Sequence, residues 1–134
     1  MRIAIANAAE VDQCWPKFGD RLQQACDRTG GDLSSGDLWQ MCRSGNAFLV
    51  VVFDESGFKA ALIMQFQKWA KKCVMRCLAI VGESTDEWLP MAREFIAQMA
   101  RDGGATSFIA EGRQGWPKFF PEAKKLRIVY EVEI

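Results

Sequence analysis

Residues 73–110 read CVMRCLAIVGESTDEWLPMAREFIAQMARDGGATSFIA and carry the clearest pattern in the chain. An apolar run at 73–81 predicts a strand. The following helix has apolar residues at spacings of three and four. It begins with a capping box of Ser84 and Glu87, or with Thr85 as an alternative cap, and it ends at two glycines. Residues 106–110 predict another strand, so the stretch is a strand–helix–strand unit typical of an α/β domain.

The rest of the chain continues this alternation of strands and helices. Pro16 lies inside the first predicted helix and indicates a start or a kink there. The last strand alternates cleanly, which places Tyr130 on its apolar face as a half-buried core residue. The further predicted strands are 2–6, 47–53, 58–66 and 126–134, and the further helices are 10–28, 34–45 and 115–120. We expect one α/β domain over residues 1–134.

Composition excludes several classes of partner. The chain has 17 basic and 17 acidic residues and 49% apolar residues, so its net charge is zero and it can build a core. Neither nucleic acid nor an anionic membrane is therefore an expected partner. A net charge of zero also lowers the repulsion between copies, so a homo-oligomer is possible. The first residues show no signal-peptide pattern, so we expect a cytoplasmic protein.

The chain contains five cysteines and no histidine. Irregular cysteine spacing predicts buried free thiols and no metal site. Because histidine is absent, Ser-His and Cys-His catalysis are excluded. Any general base must be a carboxylate, Lys, Tyr, Cys or water.

The order of elements resembles that of the GCN5-related N-acetyltransferases, and residues 75–120 carry the recognisable pattern. Residues 77–81 look like the strand that ends at the acyl-CoA site, and residues 99–105 resemble the helix end that this family shows. The resemblance implies a mixed, mostly antiparallel central sheet flanked by helices. It also implies acetyl-CoA as a cofactor, with the phosphates held at Val81, Gly82, Ser84 and Thr85.

A narrower resemblance is to small acetyltransferase-like proteins of tailed bacteriophages. It depends on Gly82 with Trp88-Leu89-Pro90, followed by Gly112-Arg113-Gln114-Gly115-Trp116. It implies a phage origin, hence the host cytoplasm or the virion as the location.

Two features depart from the acetyltransferase pattern. The acyl-CoA loop has one glycine and no leading Gln or Arg, and Glu83, Asp86 and Glu87 place three carboxylates at the helix start, where they would repel a diphosphate. The short helix after the penultimate strand offers two phenylalanines where many members of the family have an acidic tyrosine. The loop could still bind phosphate if Lys or Arg from elsewhere compensated the charge.

Four residues are candidates for direct chemistry or contact. Glu111, at the end of a strand, could act as a general base through water, or could simply mark an exposed strand end. Arg113 and Trp116 could contact an anionic ligand or a partner, or could belong to a tight turn. Trp69, in a turn with several lysines, could form a contact surface or fold back over the sheet edge.

These observations support two hypotheses of different classes. The degenerate loop and the missing tyrosine favour a non-enzymatic protein that acts through an unidentified protein partner, in phage assembly, in the virion or against a host factor. The alternative is an acetyl-CoA-dependent N-acetyltransferase that acts on an amine, since orientation alone supplies much of the rate enhancement.

Overall fold

A computed structural model describes residues 1–111 and 116–134. Its order of elements is strand, two helices, three strands, long helix, strand and short helix, as the sequence predicts. The elements are β1 Arg2–Ile5, α1 Ala8–Arg28, α2 Ser35–Ser44, β2 Phe48–Asp54, β3 Gly57–Lys68, β4 Cys73–Gly82, α3 Thr85–Asp102, β5 Ser107–Ala110 and α4 Trp116–Phe119. No helix in the described part of the chain is long and apolar enough to cross a membrane.

The five strands form one sheet in the order β1-β2-β3-β4-β5. The first four strands are antiparallel to their neighbours, and β5 is parallel to β4. The connection from β4 to β5 is α3, as a parallel crossover requires. The predicted mixed, mostly antiparallel sheet flanked by helices is therefore confirmed.

Local signals explain where the first two helices begin and end. Asn7 caps α1 through a capping box with Glu10, so the helix begins before the predicted start and continues through Pro16. Ser34 and Asp37 form a second capping box at the start of α2. Gly45 ends α2 in the left-handed conformation (φ 84°), which glycine adopts without steric cost.

Two apolar layers lie on opposite faces of the sheet. Helices α1 and α2 cover one face through residues such as Phe18, Leu22 and Leu38, which are buried against the central strands. Helix α3 covers the other face through Trp88, Ile96 and their apolar neighbours. Because side chains alternate along a strand, consecutive residues of β2 and β3 contribute to the two layers in turn. Cys73 and Cys77 share the α3 face, as their spacing predicts.

Strand β4 changes its pairing halfway along its length. It pairs with β3 throughout, but Ile63 lies opposite Ala79 while Met64 lies opposite Cys77, so Leu78 is an extra residue on β4. Strand β5 pairs only with Val74–Cys77. Strand β5 ends at Ala110, opposite Cys77, so β4 continues to Gly82 with one side of its backbone unpaired by β5.

The predicted closing strand at residues 126–134 is wrong. Within the described residues, this segment forms no strand and is exposed. Tyr130, expected to be half-buried, is 84% exposed. Glu122 pairs with Arg93 on α3, whereas Arg127 contacts Glu111 on the opposite face of the sheet. The chain therefore crosses the β5 edge instead of following it, and among the described residues no helix or strand covers the apolar side of the segment.

Candidate functional site

A cleft of about 440 Å³ lies along the end of β4 that β5 does not pair. Helix α1 forms one wall, the last residues of β4 form the floor, and the start of α3 forms the other wall. The lining residues are Arg21, Gln24, Arg28, Ile80, Val81, Gly82, Thr85, Trp88, Leu89 and Phe119. Of the four predicted cofactor-binding residues, Val81, Gly82 and Thr85 line this cleft, and Ser84 lies in the adjoining loop.

The start of α3 differs from the sequence prediction. Ser84 is the N-cap residue, but its backbone is left-handed (φ 54°) and its side chain makes no capping hydrogen bond. The predicted capping box of Ser84 and Glu87 is therefore wrong, because this backbone directs the hydroxyl away from the first turn. The Glu87 N–H donates to the carbonyl oxygen of Ser84 at 2.9 Å, so the first-turn N–H groups left to bind water or a ligand are those of Thr85 and Asp86.

Gly82 and Trp88 hold the loop before α3 against the sheet. The Trp88 side chain is 1% exposed, and its Nε1–H donates to the carbonyl oxygen of Glu83 at 2.8 Å. The Glu83 N–H donates to the carbonyl oxygen of Lys59 at 3.2 Å. A Cβ atom at Gly82 would lie 2.8 Å from Ala60 Cβ and 2.9 Å from the Trp88 ring. The glycine is needed for this close approach, and its φ is ordinary.

Two arginines of α1 supply the positive charge that the loop lacks. Arg21 and Arg28 line the cleft opposite the loop, seven residues apart on one face of the helix. The three carboxylates of Glu83, Asp86 and Glu87 are exposed to solvent, which screens their repulsion. The sequence analysis missed both arginines, although Arg21, Gln24 and Arg28 share the polar face of a predicted helix.

A second, much smaller cavity of about 20 Å³ lies beside the cleft. Leu78, the extra residue of β4, separates the two spaces. The cavity is lined by Cys26, Thr29, Asp32, Leu33, Arg76, Cys77, Leu78 and Glu111. It therefore brings the predicted base Glu111 next to the open part of β4, but not into the large cleft.

Glu111 is engaged by two guanidinium groups. Its Oε1 atom lies 3.4 Å from Nη2 of Arg76 and 3.2 Å from Nη2 of Arg127. Both contacts are made by Oε1, so they leave the other carboxylate oxygen, Oε2, to accept a hydrogen bond from an amine or a water molecule. Arg127 is 62% exposed, so it can leave more easily than Arg76, whose side chain is 21% exposed.

Of the remaining predicted contact residues, the structure describes the side chain of Trp69, which does not line the cleft. Trp69 folds back over the sheet edge: it is partly buried, its Nε1–H donates to Gln67 Oε1 at 3.3 Å, and Arg127 Cζ lies 5.5 Å from the ring centroid. Arg113 lies outside the described residues. Trp116 begins α4, and its side chain is outside what the structure describes.

The cysteines behave as core residues. All five are free thiols, and four of them, Cys14, Cys26, Cys42 and Cys77, are buried. Burial raises the pKa of Cys42 and of Cys77 to about 12. A thiol with so high a pKa is a poor nucleophile near neutral pH, although Cys77 lies beside the site.

No known family model matches this sequence, and no curated protein is significantly similar to it. Solved structures are similar over nearly the whole chain. A ribosomal-protein-alanine N-acetyltransferase from Brucella melitensis biovar Abortus 2308 matches with a TM-score of 0.70 at 9% identity, covering 100% of both chains. A glucosamine-6-phosphate N-acetyltransferase from Arabidopsis thaliana matches with a TM-score of 0.67 at 12% identity, covering 98% of both chains.

A third similar structure is an integron cassette protein from the mobile metagenome of V. cholerae, with a TM-score of 0.69 at 12% identity, covering 98% of this chain and 91% of the other. These proteins come from bacteria and a plant, and they do not support the predicted phage origin. At such low identity the similarity concerns the fold alone. Together with the strand order and the parallel β5, it shows that this chain has the fold of the GCN5-related N-acetyltransferases.

Proposed function

We propose that this protein binds acetyl-CoA in the cleft and transfers the acetyl group to an amine. The observation that carries the proposal is the position of Arg21 and Arg28, which face the open start of α3 across the unpaired half of β4. These two positive charges compensate the negative charge of the loop before α3. That negative charge was a main reason for the sequence to favour a non-enzymatic role.

The residues of the cleft fit the chemical groups of the cofactor. A guanidinium group binds phosphate through charge-assisted hydrogen bonds, so Arg21 and Arg28 suit the diphosphate. The free N–H groups at the start of α3 suit the same anion. Alternate N–H and C=O groups of residues 78–82 are unpaired by β5 and suit the amide groups of the pantetheine arm.

The bound cofactor would supply an acetyl thioester, and the chain would supply orientation. Amine and thioester held along the same strand gain from proximity, which can account for a large part of the rate. The one tyrosine of the chain, Tyr130, is exposed and does not line the cleft, so it is not assigned as the acid. Glu111 would accept the proton of the amine through water at Oε2, the oxygen that neither arginine contacts. The CoA thiolate would leave and take its proton from water.

The first test is the binding of acetyl-CoA and of CoA by isothermal calorimetry, at low and at moderate salt. We expect a micromolar dissociation constant that weakens with salt, because phosphate recognition by arginine is screened. Replacement of both Arg21 and Arg28 by Glu should weaken binding by at least tenfold, on the order of 1.4 kcal/mol.

Arg101→Glu is the control for either single substitution, Arg21→Glu or Arg28→Glu, because each changes the net charge by the same amount. Arg101 lies at the far end of α3, exposed, in contact with Glu94 and Gln98, so the substitution changes the net charge without touching the cleft. No binding at millimolar acetyl-CoA would overturn the proposal. Gly82 is unsuitable for this test, since any side chain there displaces the loop itself.

A second measurement separates transfer from binding alone. Release of free CoA is followed with a panel of primary amines, after the signal of the protein's own thiols has been subtracted. Turnover that Glu111→Gln reduces, with unchanged acetyl-CoA affinity, supports Glu111 as the base. Binding without turnover would leave a cofactor pocket in a protein that acts through contact with a partner.

The non-enzymatic hypothesis retains one specific observation. Residues 126–134 expose a row of apolar side chains, including Ile128, Tyr130 and Val132, although Arg127 of the same segment contacts Glu111 and Trp69. A protein partner could cover these residues whether or not the cleft binds a cofactor.

A further inference from the structure

Three charged side chains meet at the edge of the small cavity beside the cleft. Oε1 of Glu111 lies 3.4 Å from Nη2 of Arg76 and 3.2 Å from Nη2 of Arg127. Two guanidinium groups thus share one carboxylate oxygen, and a guanidinium group has five N–H donors. Because each contact to Glu111 is made by a single nitrogen, most of these donors are left for another acceptor.

The Nε atom of Arg76 is a buried donor without a partner. It is inaccessible to solvent, and no described residue accepts a hydrogen bond from it. Such donors are rare in folded proteins, and a bound water or ligand commonly explains them. The cavity of about 20 Å³ has room for about one water molecule and none for a substrate. A larger ligand therefore lies outside it, beside Glu111 and Arg127, whose side chains are 46% and 62% exposed.

The sheet side of this cavity has an excess of positive charge. Arg76 and Arg127 are two cations on one carboxylate, that of Glu111. Arg127 also lies over the Trp69 ring, with its Cζ atom 5.5 Å from the ring centroid, and Lys72 Nζ is 5.9 Å from the same centroid. One of the two arginine charges thus has no carboxylate partner among the described residues, and an anion from solution would supply it.

The helix side of the same cavity is acidic. Asp32, in the loop between α1 and α2, lines it together with Thr29 and Cys26. Burial raises the pKa of the Cys26 thiol, and three nearby carboxylates raise it further. They belong to Asp27, Asp32 and Asp37. Because the two sides of the cavity differ in charge, a molecule with both an ammonium group and an acidic group would match both.

The spacing along β4 brings this cavity close to the open half of the strand. In the proposed complex the cofactor lies along residues 78–82, and Arg76 precedes Leu78 by two residues, roughly 7 Å along a strand. Oε1 of Glu111 contacts the arginines, whereas Oε2 is contacted by neither. An amine at Oε2 and an acidic group at the guanidinium groups would therefore be joined by a short chain.

Given the acetyl transfer proposed above, on which this step rests, we propose that its acceptor is a small amine with an acidic group, either a carboxylate or a phosphate, and that Arg76 and Arg127 bind this group. The ammonium group gives one proton through water to Oε2 of Glu111. The freed amine nitrogen bonds to the acetyl carbon, and the C–S bond breaks. The second N–H proton passes through water to the CoA thiolate, and the acidic group stays on the arginines.

The first test compares amines that differ in one acidic group. Glycine, β-alanine and 4-aminobutyrate are each compared with the corresponding amide, and phosphoethanolamine with ethanolamine, at equal concentrations of free amine in the CoA-release assay. For at least one acid, kcat/KM should exceed that of its counterpart about tenfold or more, because only the acid makes charge-assisted hydrogen bonds to arginine. The better acid identifies the group as carboxylate or phosphate. Counterparts that react as well as every acid would overturn the inference and leave the acetyl transfer standing.

Arg127→Gln and Lys125→Gln are a matched pair of substitutions. Each removes one positive charge from the exposed segment that follows α4, and Lys125 lines neither cavity. Arg127→Gln should raise KM for the preferred acid about tenfold and change KM for its counterpart less than about twofold, with kcat little altered. Lys125→Gln should change neither constant. Equal effects of the two variants, or equal effects of Arg127→Gln on acid and counterpart, would contradict the proposal.

A binding measurement distinguishes failure of this site from failure of the acetyl transfer. Saturation-transfer NMR measures binding of the same acids and counterparts to the full chain, with and without CoA. Acids that bind in preference to their counterparts support the anion site, even if acetyl-CoA does not bind and the acetyl transfer is thereby excluded. A chain that binds acetyl-CoA but binds acids no better than their counterparts overturns the choice of acceptor, while the acetyl transfer survives.

Discussion

The two halves of β4 have the same backbone form and opposite roles. Residues 73–77, the closed half, pair with β3 on one side and with β5 on the other. Residues 78–82, the open half, pair with β3 alone, and the cleft lies along their free side. The extra residue Leu78 marks the boundary. One strand thus anchors the core at one end and forms the floor of the candidate site at the other.

This difference shows how the fold keeps a polar backbone available without weakening the sheet. The closed half buries Val74, Met75 and Cys77 and satisfies its amides in two ladders. The open half leaves alternate amides for a ligand, and its residues are still packed on both faces. Stability should therefore depend mainly on the closed half, and ligand binding on the open half.

The largest effect is expected from Met75→Ala in the closed half. Met75 is completely buried under α3, and loss of its side chain should lower the free energy of unfolding by about 2–5 kcal/mol. Ile80→Ala, on the same face of the open half, is the comparison. Ile80 is partly exposed to the cleft and should lose less. Urea denaturation measures both, and equal losses would show that the two halves do not differ in this way.

A smaller loss is expected from Gly82→Ala at the end of the open half. The added Cβ atom would approach Ala60, Trp88 and the carbonyl oxygen of Lys59 at 3.0 Å or less, so the loop must move, at a cost of about 1–3 kcal/mol. Gly36→Ala in α2 is the control, since its Cβ meets nothing nearer than 3.7 Å. If both variants melt alike by circular dichroism, the close approach at Gly82 is not needed.

The sequence predicts those parts of the fold that depend on local signals. The Ser34 cap and Gly45 bound α2 where expected, and the valine-rich run of residues 47–53 coincides with β2 to within one residue. The order of elements then predicts the strand order of the sheet, because few positions in the sheet are open to a parallel strand that follows α3. Asn7 was overlooked as a cap, and the start of α1 was placed too late for that reason.

The candidate site is less predictable because it depends on contacts distant in sequence. Gly82 and Thr85 follow from their position after β4, whereas Arg21 and Arg28 come to the cleft only when α1 packs on the sheet. The bulge at Leu78 could not be predicted from the sequence, because the apolar run that contains it has no glycine or polar residue at that position. The alternation of residues 126–134 shows that they can form a strand, but not which edge receives it.

Cys77, a buried thiol in the closed half, leads us to expect that the free energy of unfolding falls at high pH. Burial raises the pKa of the Cys77 thiol to about 12, from 9.0 in an unfolded chain. A raised folded-state pKa means that the stabilisation is fully present below pH 9.0 and is lost as the pH rises towards 12. Between pH 9 and 10 we expect a fall of about 1.4 kcal/mol per pH unit for this group at most.

Denaturation of the wild type and of Cys77→Ala at pH 8, 9 and 10 measures this change. Cys42 has the same raised pKa, and burial also raises the pKa of Cys14 and of Cys26, so Cys77→Ala and Cys42→Ala should each remove only a part of the slope. A slope that neither substitution reduces would mean that other groups cause the loss of stability in alkali.

The smallest effect is expected from Ser84→Gly, next to the open half. Ser84 is left-handed and its hydroxyl caps nothing, so glycine should relieve strain and stabilise the fold by up to about 1 kcal/mol. Thr85→Gly, one residue later in the first turn of α3, should be slightly destabilising, because glycine is a poor helix former. A loss of stability in Ser84→Gly would instead support the capping box that the sequence predicts, and it would leave fewer free amides at the start of α3 for a phosphate.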